Sequence, residues 1–114
     1  MLSNSSLETL FTKARSQNGW LNKDITGEQI QQLYDLLKFG PTSANCCPAR
    51  FTFIRTKEAK ERLKPYLDSG NINKSMSAPA VVIISYDIEF YQKLPFLFPH
   101  TNAQSWYEGK EQKI

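Results

Sequence analysis

Ala80-Val81-Val82-Ile83-Ile84 is the most apolar run in the chain. An unbroken apolar run of this length, almost entirely β-branched, suits a strand better than a helix. With no polar alternation it predicts a central strand covered on both faces. Upstream, Phe51-Thr52-Phe53-Ile54 is a second β-prone run. Two strands do not make an independently stable sheet. The expectation is therefore an α+β fold, with helices around an antiparallel-rich central sheet that is incomplete in this chain.

Helical segments fill the space around these strands. Ser5 with Glu8 three residues later reads as a capping box, and Leu7, Leu10, Phe11 and Ala14 share one face of a helix running to about Ser16. Asn18-Gly19 closes it, since glycine tolerates a left-handed closing residue. Thr26 and Gln29 repeat the capping pattern before a stripe of Ile30, Leu33, Tyr34 and Leu37. Gly40-Pro41 stops that second helix, because proline cannot continue the hydrogen-bond ladder, and leaves Pro41 to Pro48 as a loop. Thr56 caps a third helix toward Leu67 that must kink or end early at Pro65. Asp68-Ser69-Gly70 reads as a turn and Asn71 to Met76 as a short helical piece. Beyond Asp87, Ile88 to Tyr91 looks helical, and Leu94 to His100 carries two prolines among exposed-looking aromatics. Trp106 and Tyr107 fall in a last helix, ahead of a polar tail, Glu108 to Ile114, that is expected to fray.

Composition narrows the function classes. The 114 residues hold 14 Lys+Arg against 11 Asp+Glu, a formal charge of +3 with no basic block, which argues against nucleic-acid binding. Lys57 to Lys64 mixes signs as a solvated helix face does. No apolar run approaches membrane-spanning length. The opening Met-Leu-Ser-Asn-Ser-Ser-Leu-Glu lacks the basic start and apolar core of a secretory signal. Cys46 and Cys47 are adjacent, where a disulfide would be strained, so a reducing cytoplasm is the expected compartment. The chain reads as one domain or part of one.

With one histidine and five glycines, no metal set, Ser-His-Asp triad or phosphate-cradling glycine loop can be assembled. Three polar clusters remain. Arg15, in the last turn of the first helix, is either a cation favoured there by the helix dipole or a bidentate clamp for a phosphate, with Lys74 as an additional point charge. Pro41-Thr42-Ser43-Ala44-Asn45 is either an ordinary turn or a ligand loop offering two hydroxyls, an amide and free backbone N–H groups. Asn71 and Lys74, three apart, share a side of their helix. The cysteines read as small hydrophobes rather than nucleophiles, and His100 as a surface or hydrogen-bonded side chain rather than a catalytic acid.

Taken in order, these clusters resemble the N-terminal pattern of the nitroreductase family of FMN-dependent flavoproteins. That pattern is an Arg near the end of the first helix, a Pro-Ser-Ser-x-Asn-type loop after the second, and Asn-x-x-Lys before an apolar strand. Here these are Arg15, Pro41-Thr42-Ser43-Ala44-Asn45, and Asn71-Ile72-Asn73-Lys74 ahead of Ala80 to Ile84. The resemblance runs from Leu10 onward and is strongest to the malonic semialdehyde reductase-like branch. Phe39-Gly40-Pro41, Pro48-Ala49-Arg50, Ser69-Gly70-Asn71, Glu89-Phe90-Tyr91, Leu94-Pro95 and Leu97-Phe98-Pro99-His100 carry that closer likeness. The chain departs from the wider family at Cys47 and Ala49, where Gln and Trp are usual, and at Gly19, where a second basic residue is frequent.

The resemblance implies that residues 1–114 correspond to the N-terminal portion of a single nitroreductase-like domain, the family's C-terminal half having no counterpart in this sequence. It implies FMN as cofactor, with Arg15 and Gln17 at the phosphate or ribityl chain and Asn71 and Lys74 near the isoalloxazine pyrimidine edge. Pro41, Thr42, Ser43 and Asn45 would reach the flavin from the opposite subunit of a homodimer. The implied reaction is ping-pong hydride transfer from NADH or NADPH by way of FMN to a small aldehyde such as malonic semialdehyde, or to a nitro or quinone acceptor. The alternative is a shortened, non-catalytic chain that associates with a full-length relative.

Overall fold

The computed structural model describes residues 1–109. The expected tail falls partly outside them, at residues 110–114. Among the described residues the chain is α+β, with five short α-helices and one two-stranded antiparallel sheet. Strand β1 (Ala49–Ile54) pairs with β2 (Val81–Tyr86) so that Phe51 lies opposite Ile84 and Thr52 opposite Ile83. Directly opposite residues share a face. Phe51, Phe53, Val82 and Ile84 therefore form one face and Thr52, Ile54, Val81 and Ile83 the other.

Helix α2 (Gly27–Leu37) begins as its sequence predicts. The Thr26 side chain accepts from the Gln29 N–H, and the Gln29 side chain accepts from the Thr26 N–H. It approaches the Phe51 face through Tyr34, whose ring meets that of Phe51 edge-on at 6.5 Å. Helix α3 (Lys57–Leu63), capped by Thr56, sits over the other face and gives way to a 3-10 turn, Lys64–Tyr66, at Pro65. Leu63, Tyr66, Ile54 and Ile83 line an apolar cleft of about 610 Å³ between them. Helices thus approach both faces without sealing them. Ile84 is 70% exposed and Val82 42%, which overturns the expectation of a strand fully covered on both faces by this chain.

Four further readings are corrected. Ser3, not Ser5, caps α1 (Asn4–Leu7), accepting from the Ser6 N–H. The Glu8 carboxylate is taken by Lys13 at 2.8 Å instead of reaching back to the cap. A π-helical turn, Glu8–Thr12, follows, and the helical run ends there rather than near Ser16. The left-handed closing residue expected at Gly19 is also absent, since Gly109 is the one described glycine with positive φ. The supposed turn Asp68-Ser69-Gly70 is instead the start of α4 (Ser69–Ser77), with Asp68 at its N-cap.

The most buried cluster lies elsewhere, in the C-terminal segment. A 3-10 turn, Phe90–Lys93, runs into α5 (Leu94–Leu97), and a second 3-10 turn, Ala103–Trp106, ends the described elements. Leu94, wholly buried, packs with Phe90, Ala103 and Cys46, so this region is a small core rather than a string of exposed aromatics, although Phe96 is exposed. Phe90 meets Tyr107 edge-on at 4.9 Å. Cys46 belongs to this core while Cys47 is exposed; both are free thiols.

Candidate functional site

The segment before α2 is held against α4 by one long-range bond: the Trp20 indole N–H donates to the Lys74 carbonyl at 2.7 Å. The same carbonyl also accepts the helix-closing bond from the Ala78 N–H at 3.1 Å, so the indole uses its second lone pair. A lysine in this last turn of the helix is favoured by the helix dipole. The bond borders an open pocket of about 370 Å³ whose lining includes Gln17, Trp20, Lys74, Ser75, Ala80 and Val81. Two of the sequence-predicted residues, Gln17 and Lys74, therefore share one pocket at the start of β2. The Lys74 ammonium has no hydrogen-bond or ion-pair partner among the described residues.

The other predicted residues stand apart from it. Arg15 folds back on its own segment, donating through Nη1 to the carbonyls of Thr12 (3.2 Å) and Ala14 (2.6 Å), and it does not line the pocket. That is the local, helix-end role that its position allowed. Asn71 lies in the first turn of α4 and does not line the pocket either; its backbone N–H donates to the Asp68 carbonyl. Trp20 was missed by residue-level reading. The available signal was an indole in a loop, where its N–H needs an acceptor.

The loop bearing Pro41, Thr42, Ser43 and Asn45 is more than a simple turn. Ala44 (φ 48°), Asn45 (φ 51°) and Cys47 (φ 42°) all occupy the left-handed region, which costs non-glycine residues energy and concentrates at functional sites. Its polar groups hold this shape. Thr42 Oγ1 accepts from the Cys47 N–H at 3.1 Å, the Cys47 thiol donates to Asn45 Oδ1 at 3.4 Å, and Asn45 Nδ2 donates to the Leu97 carbonyl at 3.1 Å. Thr42 and Asn45 thus hold the loop in shape and against α5. Ser43 lends its carbonyl to the Cys46 N–H, and Pro41 is exposed; neither lines the Gln17–Lys74 pocket.

A charged clasp secures the far end of this loop. Arg50 Nη1 donates to the carbonyls of Cys47, Pro48 and Ala49, while its Nη2 meets Asp87 Oδ2 at 2.7 Å. Lys93 reaches the same oxygen at 3.1 Å, and the Asp87 N–H donates to the Pro48 carbonyl. The Lys93 hydrogen bond first, then that from the Glu89 N–H, then the nearby charges of Lys93 and Arg50, hold the Asp87 carboxyl below its ordinary value. Asp35 is lowered likewise by hydrogen bonds from Lys38 and Gln31.

His100 stacks edge-on against Phe98 at 5.2 Å. Among the described residues no group of three potential metal ligands converges, and no helix is long and apolar enough to cross a membrane. No protein-family model matches the chain.

Proposed function

We propose that the chain is an FMN-binding, NAD(P)H-dependent oxidoreductase of the nitroreductase type, acting on a small aldehyde or a nitro or quinone acceptor. The observation that carries the reading is the meeting of Gln17 and Lys74, 57 positions apart, in one pocket beside Trp20. An unpaired ammonium next to an amide, walled by an indole, suits a planar heterocycle with an acceptor-rich edge that gains negative charge. FMN, when bound, supplies hydride transfer between the nicotinamide nucleotide and the acceptor. Lys74 would hold the pyrimidine edge and favour its charged form, Gln17 would bind the ribityl chain beside it, and Trp20 would exclude water from one side.

Arg15 as placed and the Thr42 to Asn45 loop do not complete that pocket within one chain. A composite site, in which the loop comes from a second copy, accounts for a preorganised, strained loop that faces no pocket residue of its own chain. The exposed apolar surface of α2 and β2 supports such pairing.

The test is a titration of the full chain with FMN, followed by quenching of flavin fluorescence. Saturable binding is expected, weakened about tenfold in Lys74→Gln by loss of a charge-assisted hydrogen bond. Absence of saturable binding, or a Lys74→Gln variant that binds as the parent does, would overturn the reading.

A further inference from the structure

A second pocket, of about 360 Å³, shares Trp20 and Ala78 with the Gln17–Lys74 pocket. Three cations line it from three separate segments: Lys23 from the loop before α2, Arg55 from the residue after β1, and Lys60 from α3. Asp24 is the one carboxylate in its lining, and it makes no ion pair with any of them. Lys60 is fixed in place by donating to the Ala78 carbonyl. The side chains of Lys23 and Arg55 have no hydrogen-bond or ion-pair partner among the described residues. Gathering three cations against a single carboxylate is unfavourable, so the arrangement is balanced best by a bound anion.

We infer that Lys23, Arg55 and Lys60 form a binding site for a phosphate monoester dianion. A monoester carries close to two negative charges at neutral pH and presents three acceptor oxygens. A guanidinium fork and two ammonium groups match that charge and geometry better than they match a neutral or singly charged ligand. The Asn22 amide, also in the lining, adds a donor for an attached sugar, and the Trp20 indole a surface for an attached base. On the oxidoreductase reading above, the dianion is the 2′-phosphate that distinguishes NADPH from NADH. The same chemistry would also take the terminal phosphate of FMN.

Calorimetric titration of the full chain separates these cases. The expected result is saturable binding of adenosine 2′-monophosphate, no binding of adenosine, and an affinity lowered about tenfold or more in the double variant Lys23→Gln, Arg55→Gln. Both residues are exposed and unpartnered, so the variant is expected to keep the parent circular dichroism spectrum. Displacement of the bound monophosphate by FMN but not by riboflavin identifies the flavin phosphate as the occupant. Binding of FMN without displacement identifies the 2′-phosphate of NADPH. Monophosphate binding with no FMN binding sustains the site and removes the flavin reading. Equal behaviour of adenosine and its monophosphate, or of parent and double variant, would overturn the site.

Discussion

Asp87 joins the end of β2 to the loop that precedes β1, because its carboxylate accepts from both Arg50 and Lys93 while its backbone N–H pairs with the Pro48 carbonyl. Its folded pKa is depressed, so the stability it contributes is present above the unfolded carboxylate value of about 3.9 and is lost as pH falls through the lower folded value. Thermal unfolding of the parent and of Asp87→Asn, measured across pH, is therefore expected to differ at neutrality and to converge in acid. A difference that persists undiminished in acid would contradict this. Residue roles were legible unevenly in the sequence. Gln17 and Lys74, which the resemblance assigns to different parts of the flavin, line one pocket. The sequence does not reveal that the Arg15 guanidinium turns back onto the Thr12 and Ala14 carbonyls. Asp87 and Trp20 escaped notice because their partners, Arg50 and Lys74, lie 37 and 54 positions away.

Elements governed by local chemistry were the most legible. The reciprocal bonds of Thr26 and Gln29 form as the spacing predicts, and Thr26→Ala is expected to cost about 1 kcal/mol in chemical denaturation. Gly40-Pro41 and Pro65 stop their helices for reasons local to the chain. Legibility fails where two local signals compete, as at Glu8, which pairs with Lys13 rather than capping α1. It also fails where tertiary packing selects a conformation, as in the loop from Thr42 to Cys47. Ala44, at φ 48°, provides a test. Ala44→Gly relieves about 1 kcal/mol of backbone cost, offset in part by the greater freedom of the unfolded chain. The expected result is stability unchanged or slightly raised, against a loss of about 1 kcal/mol for Gln32→Gly on the exposed side of α2. Equal losses at the two positions would show that the loop is not strained at Ala44.

At the scale of the whole molecule the chain is expanded for its length. Its radius of gyration is 18.3 Å, where a compact domain of this size is expected near 13 Å. Its accessible surface is 9463 Å², against about 6,400 Å² for a compact monomer of the same mass. The surplus of about 3,000 Å² exceeds the roughly 800 Å² per partner of a standard interface. Much of it is apolar: Leu33, Leu36 and Phe39 on and beyond α2, and Ile84 on β2, are exposed. The sequence anticipated this through its two strands, too few for a stable sheet, but the absent cover over β2 could not be read from apolar periodicity, which reports burial without saying which chain provides it. On the proposed function, two copies together build a flavin site from the Gln17–Lys74 pocket and the strained loop. The most direct test is the visible absorption spectrum of the full chain after incubation with excess FMN and desalting, taken with its mass by light scattering. A retained flavin spectrum on a dimer is the predicted result; a colourless monomer would contradict the claim and favour a non-catalytic chain.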